Sequence, residues 1–376
     1  MSKLTKYKFS DLYEMSSGIS SSKEQAGHGS PFISFSTVFN NYFLPEELPD
    51  LMDTSLKEQE IFSVKKDDVF ITRTSETVDA LAMSCVAVKD YPKATFSGFV
   101  KRLRPKTTGI VYSKYIAFFL RSKYFRKVLD CNTIMTLRAS FNEDMFSFLY
   151  LYLPDYEEQV RIGDLLYKME MKIRTNNKIN DNLEQQIKTI FTFQFLQNAN
   201  TEWKQQSLAE LSKMYQPKTI SGKDLIAAGN YFVYGANGII GKYNQYNHSE
   251  SEIAVACRGA SCGSIQMTLP FSWITGNAMV VKPHSNFPYR EYLYYYLLAK
   301  NPNYLCSGSA QPQLTRENLT LYSLKVPPIT ELNAFESYAE KVRKIIIKNQ
   351  QENIELSTLR DWLLPMLMNG QATISD

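Results

Sequence analysis

The chain has 376 residues, of which 44% are hydrophobic and 21% charged, so it is long enough for two folded domains and too apolar to be disordered. Its formal net charge of +4 is small for a protein that binds nucleic acid alone through phosphate contacts, so a partner is expected to supply part of any such charge. Five Cys without a C-x-x-C pair, three His, and no apolar run near the ~18 residues of a membrane span predict a cytoplasmic protein with free thiols and no metal.

Residues 1–155 are predicted to form a mixed α/β domain of short strands. After FSDLYEM at Phe9, alternating apolar residues in EIFSVKKDDVFITRTS predict two strands separated by a charged turn. The stretches SCVAVKD and ATFSGFVKRL continue the strand pattern, and YIAFFLRSKYFRKVL has the spacing of an amphipathic helix.

A long helix is predicted over residues 156–197. Apolar or amide residues recur every three or four positions from Ile162 to Ile190, which is the period of a coiled-coil seam. Asn176 and Asn180 occupy two consecutive layers near the middle of this seam. A buried Asn prefers another Asn as its partner, so these layers are predicted to fix the register of helix pairing.

Residues 198–327 are predicted to form a second mixed α/β domain. LAELSKM at Leu208 corresponds to the start of the first domain. EIAVACRGASCGSIQM and AMVVKP read as strands, and REYLYYYLLAK reads as the helix that matches the one in the first domain. The plan of the first domain is therefore repeated.

Residues 328–376 are predicted to form a second long helix, related to the first by a constant offset. Pro154 matches Pro327 at 173 residues, and at the same offset Asn349 and Asn353 match the two seam asparagines of the first helix. This pattern leaves open whether the helices pair in a parallel or an antiparallel manner, or whether each packs on its own domain.

Three sequence segments resemble a known family. Residues 231–282, which begin YFVYGANGIIGKYNQ, closely resemble one recognition domain of type I restriction–modification specificity subunits. DDVFITRTSET followed by ATFSGFVKRLRP resembles another variant of that domain, and SGSAQPQLTRENLTLYSLKVPP resembles the boundary that precedes a long helix in the family. The resemblance covers nearly the whole chain and includes its two-repeat plan.

The resemblance implies an α+β fold with two target recognition domains in tandem, each followed by a long spacer helix. The two helices would form an antiparallel coiled coil with pseudo-two-fold symmetry. Each domain would read one half of a split double-stranded DNA target. Two methyltransferase subunits and the restriction subunits would join this core, with S-adenosylmethionine on the methyltransferase subunit and no cofactor on this chain.

Candidate DNA contacts are polar or basic residues at strand ends and tight turns, because bases are read by short polar groups and phosphates by cations. In the first domain they are Thr72, Arg73, Thr74, Ser75, Lys101, Arg102 and Arg104. In the second domain they are Tyr234, Gly235, Asn237, Gly238, Arg258, Gly259, Ser261, Ser309, Gln311 and Gln313. The alternative interpretation is that these residues form structural turns and a solvated basic run.

Two segments resemble catalytic motifs. Asn301-Pro302-Asn303-Tyr304 resembles an amino-methyltransferase signature but has Asn in place of the second proline and no F-x-G-x-G loop before it. Asp155, Glu170 and Lys172 resemble a nuclease triad, but the last two lie inside the predicted helix. A specificity subunit without catalytic activity is therefore predicted. The alternatives are a fused methyltransferase or nuclease, and a coiled-coil adaptor that does not bind DNA.

Overall fold

The computed structural model describes residues 3–75, 77, 80–132, 139–308 and 312–374. The chain divides into two compact units. The first consists of Met1–Arg174 together with Glu352–Asp376, and the second of Thr175–Gln351. Each unit therefore contains one α/β domain and a segment of each long helix. Within the described residues, no helix is both long and apolar enough to cross a membrane.

The first domain is built from short strands and helices in an order that begins and ends with paired strands. Its elements are β1 (Thr5–Lys8), α1 (Phe9–Leu12), β2 (Tyr13–Ser17), β3 (Ala26–Ile33), α2 (Phe35–Asn40), β4 (Asp50–Met52), α3 (Leu56–Ile61), β5 (Val69–Thr72), β6 (Thr74–Ser75), β7 (Ser84–Val86), β8 (Thr95–Phe96), β9 (Val100–Pro105), α4 (Ser113–Phe119), α5 (Lys123–Asn132), β10 (Ala139–Ser140), α6 (Glu143–Phe148) and β11 (Tyr150–Leu153).

The sheets of the first domain follow from their hydrophobic pattern. All four residues of β5 are buried, so this strand lies inside a four-stranded sheet of order β2-β9-β5-β7. A three-stranded sheet has the order β4-β3-β8, and two-stranded ladders join β1 to β11 and β6 to β10. The fully buried rings of Phe9, Tyr115 and Phe119 lie in a core to which the helix residues Ile162 and Leu166 also belong.

The second domain contains β12 (Lys204–Ser207), α8 (Leu208–Leu211), β13 (Ser212–Tyr215), β14 (Tyr231–Gly235), β15 (Gly238–Tyr243), β16 (Ile253–Ala256), β17 (Ile265–Met267), β18 (Trp273–Ile274), β19 (Ala278–Pro283), α9 (Arg290–Ala299), α10 (Arg316–Thr320) and β20 (Ser323–Val326). The long helices are α7 (Tyr156–Phe191), which continues as a π-helical segment (Thr192–Gln197), and α11 (Ile329–Met368).

The second domain repeats the main sheets of the first in the same strand order, and an isolated bridge between Arg258 and Gln313 stands where the first has the β6–β10 ladder. Its four-stranded sheet has the order β13-β19-β16-β17, its three-stranded sheet β15-β14-β18, and β12 pairs with β20 as β1 pairs with β11. In both three-stranded sheets the last strand pairs in parallel with the central one, whereas the other neighbour is antiparallel. The two domains therefore have the same fold, as their similar sequence plan predicts.

Segments of the two long helices pair in an antiparallel manner within each unit. In the first unit, Lys172 lies 3.3 Å from Glu352, and Glu170 lies 2.9 Å from Arg360. In the second unit, Asn180 accepts a 2.8 Å hydrogen bond from Asn349. Farther along α7 in the same unit, Glu184 pairs with Arg343, a residue that precedes Asn349.

The long helices also pack on the α/β domains. Pairing of the helices with each other and packing on a domain were alternatives in the sequence analysis, and the structure shows both. In the second unit, Ile187 and Phe191 of α7 share one core with Phe335 and Val342 of α11 and with the buried Tyr292 of α9. The apolar positions of the predicted seam thus contact both the other helix and the α/β domain.

The expectation that all cysteines are free thiols is corrected at two positions. Cys262 and Cys306 form a disulfide across 44 residues of sequence, whereas Cys85, Cys131 and Cys257 are free. The fold brings the turn after β16 against the short 3-10 helix Pro302–Leu305. A side chain at Gly263 would collide with the backbone of Asn303, so glycine allows this close approach. The sequence spacing alone gave no signal of this contact.

Candidate nucleic-acid interface

In the first unit, the segment that follows β5 is held by backbone hydrogen bonds on both of its sides. The Arg73 N–H donates to the carbonyl of Phe99 at 2.9 Å, and the N–H of Phe141 donates to the Arg73 carbonyl at 2.8 Å. Next to it, β6 pairs with β10, which places Thr74 opposite Ser140. Three of the predicted contact residues, Arg73 to Ser75, are therefore presented on a well-supported backbone.

The side chains of this segment differ in what they offer to a ligand. Arg73 is exposed, and its guanidinium Nη1 lies 3.5 Å from the Gly98 carbonyl. Thr74 and Ser75 are half-buried. Thr72 is fully buried, and its hydroxyl accepts a 2.9 Å hydrogen bond from the Met83 N–H. The predicted DNA contact of Thr72 is corrected, because this side chain lies inside the domain.

The predicted phosphate patch on β9 is also corrected, beginning with Lys101. This side chain is buried, and its amine donates a 2.8 Å hydrogen bond to the Ser17 hydroxyl. The burial of the Lys101 amine lowers its pKa. A phosphate-binding lysine would instead lie at the surface.

The other two cations of the patch are also used within the domain. Arg104 makes a two-point contact with the buried carboxylate of Asp68, at 2.7 and 2.6 Å. Arg102 and Arg104 both donate to the backbone carbonyl of Ser63, at 2.6 and 3.0 Å. The two guanidinium groups therefore hold the turn before β5, and both side chains are partly buried. This internal role does not favour the predicted phosphate contact.

The second unit places a matching segment after β16. The Cys257 N–H donates to the carbonyl of Asn277 at 3.0 Å, and the N–H of Leu314 donates to the Cys257 carbonyl at 2.9 Å. Arg258 forms a β-bridge with Gln313. These bonds correspond one by one to those around Arg73, so Cys257 is the counterpart of Arg73 and Arg258 is the counterpart of Thr74. Cys257 is buried, whereas Arg73 is exposed.

This second segment brings three predicted contact residues together. Arg258 and Gln313 are exposed and adjacent across the bridge, and the Gly259 N–H donates to the Pro312 carbonyl at 3.1 Å. Gly259 has φ of +79°, a conformation that favours glycine. Ser261 is half-buried in the turn that follows. The predicted residues Ser309 and Gln311 lie outside the described residues.

The β14–β15 hairpin supplies one exposed amide. Asn237 is exposed at the tip, followed by Gly238 with φ of +97°. Tyr234 and Gly235 are buried, and the Tyr234 hydroxyl accepts a 3.1 Å hydrogen bond from the Leu269 N–H. The predicted contacts of Tyr234 and Gly235 are therefore corrected to structural roles, which leaves Asn237 and Gly238 as the candidates.

The residues that resemble catalytic motifs have structural roles. Glu170 and Lys172 form the ion pairs between the helices, and residues Pro302–Leu305 form a 3-10 turn with Asn301 as its cap. Among the described residues, no group of three or more His, Cys, Asp or Glu side chains could hold a metal ion. The exposed groups at the two strand ends are suited to binding a ligand by hydrogen bonds and charge.

Comparison with known proteins identifies the class of protein. Residues 1–185 and 200–357 match the family model described as the type I restriction modification DNA specificity domain. The chain belongs to this family and contains two copies of the domain. The prediction of a specificity subunit with two DNA-recognition domains is thereby confirmed, and the matches do not support the alternative of a fused methyltransferase or nuclease.

Individual relatives agree with this assignment. The specificity subunit of the type I restriction enzyme MjaIX from Methanocaldococcus jannaschii is 21% identical over 98% of this chain and 93% of its own. The EcoprrI specificity subunit from Escherichia coli is 31% identical over 134 residues, which are 34% of this chain and only 33% of that subunit. The S subunit from M. genitalium has the same fold, with a TM-score of 0.63 and 14% identity over 97% of this chain and 96% of its own.

Proposed function

We propose that this chain reads a bipartite double-stranded DNA target, with one half recognised by each domain. The observation that carries the proposal is the pair of equivalent strand-end segments, which have the same backbone partners and different side chains. The first presents Arg73, Thr74 and Ser75, and the second presents Arg258 and Gly259 beside Gln313. A shared scaffold with different polar groups is what two readers of different sequences require.

The proposed contact residues are those that remain at the surface, together with two that the structure does not describe. They are Arg73, Thr74, Ser75, Asn237, Gly238, Arg258, Gly259, Ser261, Ser309, Gln311 and Gln313. An exposed arginine can hold a guanine edge by two hydrogen bonds, and an amide can do the same for adenine.

The proposal includes partners, because this chain does not carry enough positive charge to hold DNA alone. With a net charge of +4 and three cations of β9 used internally, much of the phosphate neutralisation must come from other subunits. Two methyltransferase subunits, with bound S-adenosylmethionine, and the restriction subunits are the partners proposed. The helices α7 and α11 would space the half-sites, and the complex would act in the cytoplasm.

Sequencing of methylated bases in cells with and without this chain tests the proposal. We expect a methylated motif made of two short specified halves separated by unspecified bases, and we expect it to disappear when the chain is deleted. Restoring the chain from a plasmid should restore the same motif. An unchanged pattern of methylation after deletion would show that the chain does not direct this modification.

A further inference from the structure

The two domains contain an equivalent β-turn beside the strand-end segment. In the first domain, the Val100 N–H donates to the Ser97 carbonyl at 2.9 Å, and the turn residue Phe99 accepts from Arg73. In the second domain, the Ala278 N–H donates to the Thr275 carbonyl at 3.0 Å, and Asn277 accepts from the N–H of Cys257. Phe99 and Asn277 therefore occupy the same position in the fold.

Phe99 is an exposed aromatic residue on a rigid support. Its side chain is 65% exposed, although large apolar side chains are normally buried in a core. Besides the bond to Arg73, the Phe99 N–H donates to the Ser97 hydroxyl at 3.2 Å. A single exposed apolar side chain is ordinary at a protein surface. Phe99 differs from the others because its backbone is bonded to Arg73, next to the predicted contact residues.

The Phe99 ring lines a depression that it shares with the predicted contact residues. This cavity has a volume of about 540 Å³ and is also lined by Thr74 and Ser75 and by the rings of Phe35 and Phe39, which stack at 5.7 Å. A ligand group that reached Thr74 and Ser75 would therefore also meet an apolar surface.

Asn277 presents different chemistry from the same position. It is exposed, and its amide makes no hydrogen bond with the part of the chain that the structure describes. An amide offers a donor and an acceptor, which match the edge of adenine in the major groove. Among the four bases of DNA, only thymine presents a methyl group there, and an aromatic ring contacts this group favourably.

We propose that Phe99 and Asn277 are equivalent specificity-determining residues: Phe99 contacts a thymine methyl group in one half-site, and Asn277 contacts an adenine in the other. This inference rests on the proposed function. The inference adds two contact residues that the sequence pattern did not indicate. In the sequence, Phe99 reads as a core residue and Asn277 as a turn residue, and only the structure shows that they occupy equivalent positions.

Exchange of the two side chains tests the proposal in cells. Phe99→Asn should change the methylated motif at one position in one half, and Asn277→Phe should change one position in the other half. Leu56→Asn, at a position 81% exposed on α3, and Asn244→Phe, at an exposed loop position, are the matched controls and should leave the motif unchanged. A wild-type motif in either exchange variant would overturn the role of that residue.

DNA binding by the purified wild-type complex supplies a second test. In this test the DNA is changed and the protein is not, so the result does not depend on whether a variant folds in the cell. Duplexes that carry the determined motif are prepared with deoxyuridine in place of each thymine in turn, because uracil keeps the base pair but lacks the methyl group. We expect one thymine of the half-site read by the first domain to show about fourfold weaker binding on replacement, the effect of losing one buried methyl-sized group. The Phe99→Ala complex should bind both duplexes equally.

The outcomes separate this inference from the proposed function. If no thymine in that half-site shows a methyl dependence, the role of Phe99 is wrong, even when deletion of the chain abolishes methylation. If deletion leaves methylation unchanged, the proposed function itself is wrong, whatever the binding assay shows.

Discussion

At the scale of single residues, a buried carboxylate pairs with a more exposed cation at the same position of both domains. Asp68 precedes β5 and pairs with Arg104 of β9, and Glu252 precedes β16 and pairs with Lys282 of β19 at 2.9 Å. Both carboxylates are almost completely buried, so each needs its cation. The conserved geometry within one chain indicates that Arg104 stabilises the domain.

Replacement of Arg104 by Met should therefore destabilise the protein. The Asp68 carboxylate would retain the hydrogen bond from the Lys65 N–H but lose its ionic partner, at a cost of about 2–3 kcal/mol in the free energy of unfolding. Arg73→Met, at an exposed position, should change it by less than about 0.5 kcal/mol. Urea denaturation measures both. If Arg104→Met left stability unchanged but weakened DNA binding, the sequence-based assignment of Arg104 to phosphate contact would be restored.

The internal role of these cations could not be predicted from the sequence. Alternation along β9 shows that Lys101 and Arg102 face opposite sides, but not which side carries a carboxylate partner. Asp68 and Arg104 are distant in sequence and become neighbours only when β5 and β9 pair. Phe99 was missed for the same reason, because its significance depends on a contact with Arg73 across the sheet.

At the scale of elements, the asparagine layer between α7 and α11 of the second unit was predicted from the heptad pattern. The structure places Asn180 and Asn349 within hydrogen-bond distance, and the Asn180 amide also lies 3.5 Å from the Ile346 carbonyl. The pattern left the direction of the helices open, whereas the family resemblance implied an antiparallel pair. The contacts within each unit agree with that prediction, because residue numbers rise on one helix and fall on the other.

Asn180→Leu should cost more than the double replacement of Asn180 and Asn349 by Leu. The single change leaves the Asn349 amide without its acceptor, at about 1–2 kcal/mol, whereas the double change removes both polar groups from the seam. Thermal unfolding of the four proteins in a double-mutant cycle measures the coupling. Strictly additive effects would show that the two side chains do not interact.

A second contact of α11 links it to the start of α9. The buried carboxylate of Glu336 accepts hydrogen bonds from the N–H groups of Glu291 and Tyr292, at 2.9 and 3.1 Å, where the helix N-terminus favours negative charge. Burial nevertheless raises the pKa of Glu336 to about 7. The neighbouring Glu291 carboxyl also has a pKa raised by burial, opposed by its ion pair with Arg343.

The raised pKa of Glu336 predicts that the second unit loses stability as the pH rises from mildly acidic to neutral. In the folded state the group binds its proton up to about pH 7, whereas in the unfolded chain it loses it near its usual pKa. The contribution of Glu336 to the free energy of unfolding is complete below the unfolded pKa. It is lost as the pH rises through 7, by up to about 3 kcal/mol. Glu336→Gln should flatten the dependence of the melting temperature between pH 5 and 8, and Glu331→Gln, at an exposed position, should not. An unchanged slope in Glu336→Gln would contradict this assignment.

At the scale of the whole molecule, the chain is a duplication. Its two repeats are most alike around the boundary between each domain and its long helix, and least alike inside the domains. Pro154 and Pro327 lie 173 residues apart, but the equivalent turn residues Phe99 and Asn277 lie 178 apart. Loops of different length shift the offset, so the sequence repeat is visible around the boundary helices and lost inside the domains. The fold class and the two-domain plan could therefore be predicted, whereas the equivalence of Phe99 and Asn277 could not.

The segments that directly follow β5 and β16 contain several of the predicted contacts that remained at the surface. Thr74 and Arg258 lie at matched positions, and Arg73 is exposed although its counterpart Cys257 is buried. Residues chosen only for their charge, such as Lys101, or for a small-residue turn, such as Gly235, were placed inside. The fold determines where a strand ends, whereas a charge in the sequence does not by itself place a side chain at the surface.

The central claim is that each domain reads one half of the target independently. Replacing residues 201–310 with the corresponding segment of a specificity subunit that directs a different motif, followed by sequencing of methylated bases, tests it most directly. We predict that one half of the methylated motif changes to that of the donor while the other half stays as in the wild type. A change in both halves, or in neither half of an active complex, would contradict the claim.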